Sequence, residues 1–134
     1  MKEQLQYYIY TEKVLADLYR KASALASNQV ERNALLEFSQ EATKNAEYLN
    51  YLYNQEFGTN YDPMIPDTII TGDYRGVIDE ITAQEIQSFL KYRKNTIYQD
   101  DYDVKETMRY IADVKLGHIL SLLGILTRLN MPAS

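Results

Sequence analysis

Three glutamates, Glu12, Glu41 and Glu80, fall among apolar residues at helical spacing. A carboxylate in that position has to be paired, protonated or metal-bound, because burying it as a lone ion costs roughly several kcal/mol. An oxygen-rich cluster of this kind suits a hard cation such as iron or manganese. The chain has no cysteine and one histidine, so disulfide scaffolds, thiol redox chemistry, zinc fingers and thiolate-held iron–sulfur clusters are excluded. Any metal must be held by oxygen or by His118, which shares a helical row with Ile111 and Leu122. His118 reads as a hydrogen-bonded core histidine, with metal ligation as the alternative. Lys44 has two readings: a solvated lysine on a helix flank, or an ammonium that replaces a metal charge and pairs with Glu41 or Glu12. Tyr19 and Tyr48 stand seven residues after Glu12 and Glu41, where their hydroxyls can donate to the carboxylates.

The elements that must position these residues are helices. In the first, about residues 3–26, Leu5, Tyr8, Glu12, Leu15, Tyr19 and Ala22 form one stripe. Asn28 to Glu31 has the form of a capping box, so a second helix starts after a tight turn. It covers about 28–57, ends at Gly58, and its inward stripe passes through Leu35, Phe38, Glu41, Asn45, Tyr48 or Leu49, and Leu52. Residues 58–73 are rich in turn formers and lack a helical period. A third helix, about 74–98, follows the cap Asp73 and carries Val77, Glu80, Ile81, Ile86, Phe89 and Leu90. A fourth, about 104–129 and stopped by Pro132, has two apolar rows: Ile111, Val114, His118, Leu122 and Ile125, and Ala112, Leu116, Ile119, Leu123 and Leu126.

Loop lengths fix the connectivity. Short turns make helices one and two, and three and four, antiparallel hairpins. A helix of this length is about 39 Å long, and roughly 12 extended residues run back along it, which the segment 58–73 supplies. The expectation is an all-α single domain over 1–134, two antiparallel hairpins joined by one long crossover. Low glycine and proline, 5 and 3 among 134 residues, agree with a helical chain rather than a sandwich or barrel.

The net charge of −5 and the scattered lysines and arginines exclude a phosphate-binding surface, so no nucleic-acid partner is expected. The first ten residues lack the apolar run of a signal peptide. The most apolar stretch, Ile119 to Leu126, is shorter than the roughly 20 residues of a membrane span. A cytoplasmic protein with no membrane partner is therefore expected. Phosphate loops, nucleophile elbows and catalytic triads are all missing from the sequence.

The chain resembles the ferritin-like superfamily, and within it the rubrerythrin-type bundles. Thr11-Glu12 through Ala16 to Tyr19 resembles the family's first-helix pattern, a ligand Glu followed seven residues on by an aromatic. Asp79-Glu80-Ile-Thr-Ala83 resembles the third-helix stretch, with Gln87 where the second aromatic would fall. The resemblance implies a ferritin-like four-helix bundle with six ligands for two metals, a Glu from helices one and three and Glu-x-x-His from two and four. In this chain helix two reads Glu41-Ala-Thr-Lys44. Helix four, placed in register by matching Phe38 to Ile111 and Ala46 to Ile119, reads Val114-Lys-Leu-Gly117. Three carboxylate ligands, Glu12, Glu41 and Glu80, survive this count, with no histidine unless His118 takes part. The resemblance so implies a depleted di-metal site and a non-catalytic structural or interaction module with no resident cofactor. The wide apolar surface of helix four and the 13 tyrosines point to a homodimer. The alternative is an iron- or manganese-binding oxidoreductase, or an iron-handling protein, using the remaining carboxylates.

Overall fold

The computed structural model describes residues 1–67, 70 and 72–131. It contains four helices, α1 (Lys2–Leu25), α2 (Gln29–Phe57), α3 (Tyr74–Tyr98) and α4 (Tyr102–Asn130), and no strand among the described residues. The expected Pro132 stop lies outside the described residues, as do positions 68, 69 and 71 of the long connection.

Local chemistry sets the helix ends. The Asn28 side chain accepts from the backbone N–H groups of Val30 and Glu31, and Asp73 and Asp101 cap α3 and α4 through Gly76 and Val104. Gly58 ends α2 in the left-handed region, φ 76°, where a side chain would strain the backbone. The second half of the expected capping box is not made. Glu31 instead accepts from Tyr74 Oη and the Arg128 guanidinium, tying α2 to α3 and α4.

Helix α1 packs against α2 and α3, and α4 packs against the same two, so α1 faces α4 and α2 faces α3 across the bundle diagonals. Cross-links show that these neighbours are antiparallel. Ser39 Oγ donates to the Ala16 carbonyl and Gln6 Nε2 to Tyr53 Oη between α1 and α2, while α2 meets α4 at Glu31–Arg128 and Glu41–His118. Segment 58–73 therefore lies between α2 and α3, which do not pack on each other. Asn50 fastens this connection to α2 by accepting from the Tyr61 N–H and donating to its carbonyl.

The apolar core is in two parts. One gathers Leu15, Leu18, Leu35, Ile78, Ile81 and Leu122 toward one end, and the other gathers Leu5, Ile9, Leu49, Met108 and Ile111 toward the opposite end. Each such side chain contributes roughly 1.5–3 kcal/mol by leaving water. Helix α4 is long and apolar enough to cross a membrane by length and composition, although 39% of its most apolar 18-residue window is buried inside the bundle. The short stretch Ile119–Leu126 read from the sequence understated this helix. A window begun earlier counts Ile111, Ala112 and Val114 as well.

Candidate functional site

Between the two apolar parts lies a polar layer, with residues supplied by every helix. Glu12 on α1, Asn45 on α2, Glu85 on α3, and Lys115 and His118 on α4 are all buried. Lys115 Nζ stands 2.7 Å from Glu12 Oε1 and 2.7 Å from Glu85 Oε1, with all three side chains 1% exposed. His118 Nδ1 lies 3.0 Å from Glu85 Oε2, and its Nε2 lies 2.5 Å from Glu41 Oε2. The ring is stacked on Phe38 at 4.2 Å and meets the edge of Tyr19.

Helices α1 and α3 treat their glutamates alike. Tyr19 Oη donates to Glu85 at 2.7 Å and Tyr92 Oη to Glu12 at 3.2 Å. Each tyrosine follows the glutamate of its own helix by seven residues, about 10.5 Å along the axis. Because α1 and α3 are antiparallel, each tyrosine reaches the glutamate of the other helix. The two elements thus exchange hydrogen bonds about an approximate two-fold axis.

Protonation follows from this wiring. Burial alone would raise the Glu85 carboxyl, but Lys115 and His118 outweigh it and hold Glu85 at about 2. Burial raises Glu12 and prevails there: Lys115 and Tyr92 pull the carboxyl down, but the charge on Glu85 adds to the rise. Burial would lower Lys115, yet the two carboxylates keep it above its ordinary range. The same contest raises His118, where burial opposes Glu85 and Glu41. Burial pushes both Tyr19 and Tyr92 well above the phenol range, so they stay donors.

The expected site is corrected at several positions. Glu12 and His118 are inside, as the stripes indicated. Glu41 is at the border, with 35% of its side chain exposed, and reaches the site only through His118. Glu80 is exposed, near Gln84, and the α3 carboxylate is Glu85. Lys44 is exposed and Tyr48 points outward against Tyr110. The buried ammonium belongs to Lys115. Phe38 and Ile111 are both buried, and the inward pairs that follow them are Ala42 with Asn45 on α2 and Lys115 with His118 on α4. The pairs expected at the ligand positions, Glu41 with Lys44 and Val114 with Gly117, are one position off. A signal for Glu85 was present: Glu85 to Tyr92 repeats the spacing of Glu12 to Tyr19, whereas Glu80 has Gln87.

A metal does not fit this donor set as it stands. Among the described residues no group of three or more histidine or acidic side chains is arranged to hold an ion. The point where Glu12 and Glu85 converge is taken by the Lys115 ammonium, whose charge repels a second cation.

No known protein family matches the chain, and no curated protein does either. A solved structure does: a hypothetical protein from Pyrococcus furiosus, TM-score 0.81, 19% identical, covering 98% of this chain and 92% of that one. At that identity the likeness is one of fold. Fold and site together define a four-helix bundle with a salt-linked polar centre.

Proposed function

We propose that this chain is a ferritin-like, rubrerythrin-related bundle in which the Lys115 ammonium stands in for the metal charge, and that it serves as a structural or interaction module. The single observation that carries this reading is the 2.7 Å contact of Lys115 Nζ with both Glu12 and Glu85. One fixed positive charge there balances the carboxylates that metal ions would otherwise hold together. The paired hairpins, the diagonal crossover and the Glu-x6-Tyr repeat support the ferritin-like assignment. Metal content after anaerobic reconstitution with iron(II) and with manganese(II) tests it. The expected result is no stoichiometric metal in the wild type. One or two equivalents per chain, lost on Glu85→Gln, would overturn the reading in favour of an iron- or manganese-binding oxidoreductase or iron-handling protein.

The partner in this proposal is a second copy of the chain, and the location is cytoplasmic. Leu116, Leu120 and Leu123 on α4 stay exposed, Leu120 by 63%, an apolar face that the bundle itself leaves uncovered. Sedimentation equilibrium is expected to give twice the 15.6 kDa chain mass. A monomer at every concentration would remove the homodimer from the proposal.

A further inference from the structure

We infer that the bundle centre contains a built site for one water molecule, held between Glu12 Oε2 on α1 and Asn45 Nδ2 on α2. Both donors that reach Glu12, Lys115 Nζ and Tyr92 Oη, are directed at Oε1. Oε2 is buried with no hydrogen-bond partner among the described residues, and the same holds for Asn45 Nδ2. Glu12 is fully buried and Asn45 is 2% exposed, so bulk water reaches neither.

Glu12 and Asn45 sit at one level of the bundle. Ser39 is tied to Ala16 and Tyr53 to Gln6, and interpolating along the antiparallel pair puts position 12 opposite position 45. They are also complementary, since Oε2 accepts and Nδ2 donates. A water bridges such a pair, giving one proton to the carboxylate and taking one from the amide. The chemistry discriminates among small occupants. Glu12 repels chloride. Ala42 and Ala46 are buried on α2 beside Asn45, and Ala16 follows Glu12 by one turn of α1. Ala16 and Ala46 also line a groove of about 590 Å³ along α1 and α2.

A crystal structure of the full chain at a resolution that orders buried solvent tests the inference. One ordered water within hydrogen-bond distance of both Glu12 Oε2 and Asn45 Nδ2 is expected. A direct Nδ2–Oε2 bond, or a dry gap, would overturn it. Density too strong and too close for water would reveal a metal and overturn both this inference and the metal-free reading, whereas a dry gap leaves that reading standing. Oxygen-17 magnetic relaxation dispersion gives a solution measure that needs no crystal. Asn45→Leu is expected to lose one long-lived water relative to the wild type, and an unchanged count would overturn the site. Should that variant fail to fold, the wild-type map still decides.

Discussion

Two ion-pair networks cross between helices of the bundle, one joining α2, α3 and α4 and the other joining α1, α3 and α4, and they differ in depth. At one end, Arg128 meets Glu31, which also accepts from Tyr74, with the arginine side chain 45% and the glutamate side chain 10% exposed. At the centre, Lys115 meets Glu12 and Glu85 with every partner 1% exposed. Water solvates the first network when a partner is lost, and screening by salt reaches it. Nothing replaces a lost partner in the second. The same chemistry is therefore a modest fastener at the end and an all-or-none requirement in the middle.

The largest effect is expected from Lys115→Met. It leaves Glu12 and Glu85 buried without their cation and should cost about 3–5 kcal/mol in urea unfolding. Adding Glu12→Gln and Glu85→Gln removes the stranded charges and should recover part of that loss. A triple variant no more stable than Lys115→Met would show that charge balance is not what the layer requires. Next, Tyr92→Phe removes a hydrogen bond to the charged Glu12 and should cost about 1.5–3 kcal/mol by the same measurement.

The pH profile of stability sharpens the contrast further. The Glu85 carboxyl is held at about 2, below its ordinary 4.5, so the stability it supplies is complete above pH 4.5 and is lost as pH falls toward 2. His118 is raised above 6.5, so its contribution is complete below that value and is lost as pH rises through the folded-state value. Maximum stability is expected between these limits, and His118→Gln should flatten the alkaline side. A profile with an unchanged alkaline limb in that variant would assign the loss to another group. The smallest effect is expected from Arg128→Gln: a minor shift in midpoint that shrinks further in high salt. A shift as large as that of Lys115→Met would erase the distinction between the two networks.

Much of the fold was legible in sequence because its signals are local. Caps at Asn28 and Asp73, the turn at Gly58 and the length of segment 58–73 each act within a few residues. The α1 stripe was legible for a related reason: Leu5, Tyr8, Glu12, Leu15, Tyr19 and Ala22 are all buried as drawn. The site was only half legible. In α3 the buried face includes Thr82, Glu85, Ser88 and Thr96, so polar residues point inward while Ile86, Leu90 and Ile97 point out. Apolar periodicity then traces the wrong face. In α4 both faces are apolar, and an inward lysine between Val114 and Leu116 looks like a solvated one until its acidic partners on α1 and α3 are in place.

The division of the central charges between the hairpins bears on assembly. The first hairpin brings Glu12 and Glu41 to the middle, and the second brings Glu85 together with Lys115 and His118. The first half alone thus holds acids without a basic partner, the second holds the basic groups, and each is completed by the other. Two first hairpins from different molecules would bring four acids face to face, so the interior works as a lock that rejects like halves and admits the correct one.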